Sequence, residues 1–429
     1  MSSERFDLVL YGVTGYTGAL VLEYFVKSEF DYLTYAVAGR NEEKVKAVLM
    51  RIGTQCGKDL SSTKIIIADS NKSESLAELA KQAKVIVNAV GPYGLHGEAV
   101  VKASIENGAH HIDLAGEPGW LEKMELKYNK SAKEKGVYVV GACGFDSIPC
   151  DLGIHFMKRN FSGDLSHVEA IIQNHYGSEG YAISATTYET LVHGLSTEKI
   201  DELRLVRKTL MPEKLPLSSF KPPKRPNVWY SSETKGYVTP FHGADKSIVS
   251  RSQYFDFKTN QNRPIRVETY FQGQSYIWAN MKMWWLGAFR SLLQYESAKR
   301  ILKKYPEFFS FGMFIKEGAT RDQLNKASFT YWFFGSGWST KLSPNKQHSS
   351  PPDVRVVARC DGPDPAYLTT AGCAVSSAIT LLEDKHLLPP DGGVFTTASA
   401  FGKTRIYERL ASFGVTFNMV KNNQHKAHL

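Results

Sequence analysis

The chain has 429 residues, 42% of them hydrophobic, with 52 Lys and Arg against 43 Asp and Glu, a net charge of +9. That length exceeds one typical domain, so two are expected, each with enough apolar content for an ordinary core. The positive balance suits anionic partners such as phosphates or an anionic membrane surface; nucleic acid is not expected, because the basic residues are spread and no nucleic-acid-binding module is visible. No run of 18 apolar residues occurs, so a membrane-spanning helix is not expected. Met1-Ser2-Ser3-Glu4-Arg5 leads straight into a strand, which leaves no room for a signal peptide. The five cysteines, Cys56, Cys143, Cys150, Cys360 and Cys373, form no C-x-x-C pair and have no histidine at zinc spacing, so reduced thiols and no metal site are expected.

The first element is an apolar run, residues 8–11, that ends in Gly12-Val13-Thr14-Gly15-Tyr16-Thr17-Gly18 and opens a helix. Glycines at this spacing turn tightly after a strand, let the backbone approach a pyrophosphate, and let the helix pack close to the strand. The helix N-terminus then offers free N–H groups to phosphates. Gly12, Thr14, Gly15, Tyr16, Thr17 and Gly18 are therefore the expected phosphate-contacting residues. Apolar runs recur at 33–38, 64–68, 84–90, 110–114 and 137–141, with stretches of helical period between them. Alternating strands and helices predict a parallel sheet of the doubly wound α/β, Rossmann type over residues 1–150, with ligands beyond the carboxyl ends of the strands.

The residues just after each strand carry the site. Arg40 follows the second strand, where an acid would take an NAD ribose hydroxyl; a guanidinium there fits the 2′-phosphate of NADP. Asp69, after the third strand, either borders the adenine or caps the next helix. Asn88, Gly91 and Pro92, after the fourth, fall where a nicotinamide ribose would lie. Tyr93, His96, Asp146 and Ser147 are the proton-donor candidates. Asp146 and Ser147 have a second reading as N-caps of the helix that contains Pro149.

After residue 150 the alternation stops. Strand character at 168–176, 328–334 and 354–360, a helical stretch at 187–209, and loops at 211–226 and 343–353 predict an inserted α+β domain with a mixed sheet over 151–380. A helix at 401–413 and a strand at 415–420 are expected to return to the first domain, over 381–429. Within the second domain, Ile277, Met281, Trp284, Trp285, Ala288 and Leu292 share one helical face, followed by Lys299, Arg300, Lys303 and Lys304. The segment 275–315 reads either as a helix lying on a lipid surface or as a buried or dimer-forming face.

The segments Gly12–Gly18, Ala38-Gly39-Arg40, Asn88-Ala89-Val90-Gly91-Pro92-Tyr93, Asp113-Leu114-Ala115-Gly116-Glu117, Gly144-Phe145-Asp146-Ser147-Ile148-Pro149 and Gly392-Gly393-Val394-Phe395-Thr396-Thr397 together resemble the saccharopine dehydrogenase-like oxidoreductases. The resemblance spans essentially the whole chain and extends to bacterial trans-acting enoyl reductases. It implies NADP(H) as cofactor, hydride transfer to a lipid-like or acyl substrate, and residence on lipid droplets or a cytosol-facing membrane surface, with the mitochondrion as a further address. Two alternatives stay open. One is a lipid-droplet surface protein that binds the cofactor without turnover. The other is a saccharopine-type amino-acid reductase, whose anionic substrate would need converging arginines among Arg204, Arg207, Arg225, Arg251, Arg263 and Arg266. A homodimer is also left open.

Overall fold

The computed structural model describes residues 5–197 and 200–420. The first four residues, read above as leaving no room for a signal peptide, and the last nine of the expected C-terminal return lie outside the described residues.

The first layer is built from β1 (Phe6–Tyr11), α1 (Tyr16–Lys27), β2 (Tyr35–Gly39), α2 (Glu42–Cys56), β3 (Lys64–Ile67), α3 (Ser73–Lys81), β4 (Ala83–Asn88), α4 (Tyr93–Asn107), β5 (His110–Asp113), α5 (Pro118–Glu134) and β6 (Tyr138–Val140). Local signals set these boundaries. The Asn41 side chain accepts the Lys44 N–H at the start of α2, and Gly57 ends that helix in the left-handed region. All pairings are parallel, in the order Gly393–Phe395, β6, β5, β4, β1, β2, β3. The strand order reverses between β1 and β4, and this switch point opens a crevice beyond their carboxyl ends.

Helix α6 (Ile148–Asn160) carries the chain to a second seven-stranded sheet. A Cβ on Gly153 would lie 2.2 Å from the Phe333 ring, so the glycine lets α6 lie flat against that sheet. The second sheet is mixed, as expected. Asp164–His175 pairs parallel with Arg266–Gly273 and antiparallel with Ser328–Trp338, which pairs antiparallel with Val354–Pro363. Gly236–Pro240 and Trp229–Ser231 complete one edge.

The return after residue 380 differs from the sequence reading. Only Gly393–Phe395 joins the first sheet; Thr416–Val420 pairs antiparallel with Val354–Pro363 on the second. Phe417 holds it there, packing on Tyr407 and on Phe156 of α6. The helix Leu368–Glu383, placed in the second domain by its position, lies against α1 and β4 of the first. It is buried on every side from Leu368 to Leu381, because it fills the space between the two layers.

The helical stretch after Ser184 is two helices, Ala185–Thr197 and Ile200–Leu210; residues 198 and 199, inside the single helix expected, lie outside the described residues. Helices Tyr276–Leu292, Glu296–Lys304 and Pro306–Phe309 form an outer lobe over Ala185–Thr197. Its core is Tyr188, Val192, Phe289, Leu293, Leu302 and Phe314. Among the described residues no helix is long and apolar enough to cross a membrane.

Candidate active site

The glycine turn forms as its spacing predicts. Gly12 takes a left-handed φ of 95°, and a Cβ there would meet Val90 at 2.8 Å. A Cβ on Gly18 would stand 2.2 Å from the Gly12 carbonyl oxygen, so only glycine lets α1 come this close to β1. Gly15 occupies the N-cap of α1 with no side-chain cap, which leaves the first N–H groups of the helix to an anion. Arg40 is exposed at the end of β2 and has no ion-pair partner among the described residues. Thr14 stands over the same strand end, near Gly39. An uncapped helix N-terminus, glycines that a Cβ would block, and an unpaired guanidinium fit a dinucleotide with a 2′-phosphate.

Other residues separate into two groups. Asp69 caps its own turn, accepting the Asn71 N–H at 3.0 Å. His96 contacts Ser70 at 3.3 Å, on the β3 side, and does not line the chamber described below. Tyr16 reaches out of the turn: its hydroxyl donates to the Ala319 carbonyl, and its ring meets Tyr367 edge-on at 4.6 Å. Tyr16 is therefore a bridge between the layers as well as a member of the turn.

Beyond β1, β4, β5 and β6 lies a chamber of about 1160 Å³, lined by Gly15, Thr17, Gly91, Tyr93, Glu117 and Asp146 from the first layer. The second domain adds apolar walls at Ile172, Leu191, Val206, Phe241 and Phe271 and polar ones at Asn174, Ser184, Thr186, Thr187, Thr190 and His242. The volume exceeds the ~300–1,000 Å³ usual for a small-ligand pocket.

Tyr93 and Asp146 both reach this chamber, but their chemistry differs. The Tyr93 hydroxyl donates to the Asn88 carbonyl at 3.0 Å and accepts the Leu114 N–H at 3.2 Å. Burial pushes it well above the usual tyrosine value. Its proton is committed to clamping β4 to β5. Asp146 has no hydrogen-bond partner among the described residues and lies against Gly116, where a Cβ would come within 2.8 Å of its Oδ2. Its side chain is exposed and opens into the chamber, and desolvation by the protein around it pushes its carboxyl above the ordinary aspartate value.

Asn88 and Ser147 stand behind the wall, both fully buried. Asn88 Oδ1 accepts the Val90 N–H at 3.0 Å and shapes the turn that leads through the Gly91-Pro92 bond. Ser147 is the N-cap position of α6, but its hydroxyl makes no capping bond.

Glu117, in the segment after β5, takes a role that its sequence context does not reveal. Its carboxylate accepts the Tyr93 and Gly94 N–H groups at 3.2 and 2.7 Å and so caps α4 from the end of β5. Burial raises its pKa and outweighs those two bonds. The local signal is its place in the short segment between β5 and α5, four residues past the strand end. Its partner across 23 residues was not visible in the sequence.

The arginines of the second domain do not converge. Arg207 pairs with Glu122, Arg225 with Glu169, Arg251 with Glu125, Arg263 with Asp164 and Arg204 with Asp201, while Arg266 donates to the Ser218 carbonyl. None of them lines the chamber among the described residues. The two lysines that do are each paired, Lys123 with Glu202 and Lys127 with Glu98.

Residues 8–140 match the family model described as the saccharopine dehydrogenase NADP binding domain. A lipid droplet localized protein of Caenorhabditis elegans is 50% identical over 419 residues, covering 97% of this chain and 98% of that protein. A saccharopine dehydrogenase-like oxidoreductase of Homo sapiens is 38% identical over 434 residues, covering 99% of this chain and all of that one. Among solved structures, saccharopine dehydrogenase (L-Glu forming) of Saccharomyces cerevisiae shares the fold, with a TM-score of 0.53 at 12% identity over 96% of this chain and 99% of that one. The chain belongs to the saccharopine dehydrogenase-like oxidoreductase family, an NADP-dependent oxidoreductase with a Rossmann layer and a mixed second sheet.

Proposed function

We propose that the protein is an NADPH-dependent reductase of an apolar, acyl-type substrate, with Asp146 as the proton donor. The observation that carries this reading is a large chamber beside the glycine turn, with an apolar stretch of wall at Ile172, Leu191, Val206, Phe241 and Phe271 and one carboxyl, Asp146, that has no hydrogen-bond partner among the described residues. When bound, NADPH supplies the hydride. Asp146 holds a proton at higher pH than an ordinary aspartate because the protein lining the chamber desolvates its charge, and delivers it to the atom that becomes negative on reduction. Glu117 and Tyr93 hold the ends of β4 and β5 and the start of α4 in register around that point. The absence of any arginine from the chamber, among the described residues, argues against a substrate with several carboxylates, such as saccharopine.

The same reading places the protein on a lipid surface through its outer lobe. Ile277, Met281, Trp284, Phe308 and Phe311 are exposed there beside Arg300, Lys303 and Lys304. Aromatic and aliphatic side chains next to cations suit a lipid–water interface. The printed name of the Caenorhabditis elegans relative supports this location. The test is incubation with NADPH deuterated at the transferable position and a total lipid extract. Mass spectrometry should find deuterium in a lipid product, and much less with Asp146→Asn. Deuterium entering only amino-acid imines would overturn the substrate class, and no transfer to any compound would overturn the enzymatic reading.

A further inference from the structure

Helix Tyr276–Leu292 has a second functional side. Its exposed stripe carries Ile277, Met281 and Trp284. Lys282 lies five positions after Ile277, roughly opposite that stripe at 3.6 residues per turn. Its ammonium stands 3.8 Å from the centre of the Phe271 ring and 5.7 Å from that of Trp278. Burial lowers its pKa to about 8, and no carboxylate offsets the effect. Arg290, two turns further along, has no carboxylate partner among the described residues either. On the neighbouring helix, by contrast, Lys299 is paired with Glu296.

These cations adjoin the chamber. Phe271, under the Lys282 ammonium, is part of its wall, and so is His242. His242 is held below its ordinary value first by burial and then by the charges of Lys282 and Arg290. Lys282 is half-buried, and Arg290 and His242, both exposed, lie near enough for the two cations to act on the imidazole where the outer lobe joins the chamber, with no acid among them. The half-buried Lys282 lacks a counter-ion, and its contact with an aromatic face returns only about 0.5–2 kcal/mol of the lost hydration. An anion placed at this rim would meet all three side chains.

We propose that Lys282, Arg290 and His242 seat the anionic headgroup, a phosphate or carboxylate, of a lipid whose acyl chain occupies the chamber. This rests on the reading of the chamber as an acyl-substrate site. It adds that the substrate is amphiphilic and enters tail first, with its charge held at the rim below the lipid-facing helix.

Full-length protein is pulse-labelled with a small amine-acylating reagent, and the peptide containing Lys282 is followed by mass spectrometry. Dioleoylphosphatidic acid in detergent micelles should slow Lys282 labelling at least fivefold. Dioleoylglycerol in the same micelles should not, and inorganic phosphate at the same concentration should not. Lys282→Met with Arg290→Gln should weaken phosphatidic acid binding ten- to hundredfold, with NADPH and dioleoylglycerol binding unchanged. Lys282→Arg should keep affinity within a few fold. Equal protection by both lipids overturns the headgroup seat while leaving the acyl chamber intact. Protection by inorganic phosphate alone overturns the lipid source. Failure of both lipids to bind overturns the chamber reading itself. Loss of NADPH binding in the double variant would mean that the cations hold the fold and would also overturn the proposal.

Discussion

Tyr93 and Asp146 face the same chamber, and their substitution should give opposite signatures. Tyr93→Phe removes a hydroxyl that serves two backbone groups, the Asn88 carbonyl and the Leu114 N–H. Each loses its partner at the end of a core strand, at about 1–3 kcal/mol per group. With some relaxation, the loss should be about 2–4 kcal/mol, read as a fall of several degrees in thermal midpoint. Deuterium transfer below that midpoint should stay within about tenfold of the parent, because the Tyr93 proton is not free to leave. Asp146→Asn breaks no hydrogen bond. It removes the proton donor, so transfer should fall by about 10²–10⁴. The midpoint should hold or rise, and the sign follows from linkage. The folded carboxyl titrates above the unfolded one, so between those values the folded state binds more protons and stability falls as pH rises. Asparagine removes that slope. Parent activity should be full below the raised pKa of Asp146 and decline above it, and the Asn variant should lack this limb. A silent but thermally intact Tyr93→Phe protein, beside an active Asp146→Asn protein, would refute the assignment.

Three further outcomes are expected. Arg40→Ala should remove most of a preference for NADPH over NADH, about 1.5–3 kcal/mol for a charge-assisted phosphate contact, by fluorescence titration; equal affinities in the parent would refute its role. Trp284→Glu with Phe308→Glu should release the protein from droplets without lowering the thermal midpoint, since both side chains are 76% exposed. Trp285→Glu should unfold the lobe, because that indole donates to the Phe309 carbonyl at 2.7 Å and stacks on Phe289. A folded double variant still on droplets would remove this face as the anchor. Asp384 is fully buried. Burial alone would raise its carboxyl, but hydrogen bonds from Arg409 and Arg405 overcome that and leave it at about 2. Its contribution of about 2 kcal/mol should be present above pH 4 and lost as pH falls toward 2. Arg409→Met should cost about 3–5 kcal/mol at neutral pH and less at pH 3, by denaturant unfolding.

The first layer was legible because its signals are local. A glycine turn, an arginine after a strand and residues at strand ends are all read within a few positions of each other. What failed to show depends on distant partners. The arginines of the second domain look available in sequence, yet Arg207, Arg225 and Arg251 find their acids 85, 56 and 126 positions away. His96 sits at a helix start near the site, but its rotation toward Ser70 is set by packing. The apolar stripe on Tyr276–Leu292 was visible as a period, but a period does not say which face is covered. The lobe buries Ala279 and Phe289 and half-buries Trp285, leaving Ile277, Met281 and Trp284 outside. The final strand reads as apolar alternation and carries no mark of which sheet it will join.

Both sheets taper. The first has strands of six residues at its centre, β1 and β4, and edges of three and four, Gly393–Phe395 and β3. The second has central strands of 12 and 11 residues and described edges of three and five. A short edge offers few unpaired N–H and C=O groups to an incoming strand, and so little template for another chain to extend. Copies crowded onto one surface would therefore find little in the described edges to continue either seven-stranded sheet. Self-association through the described residues would have to use side-chain surfaces instead.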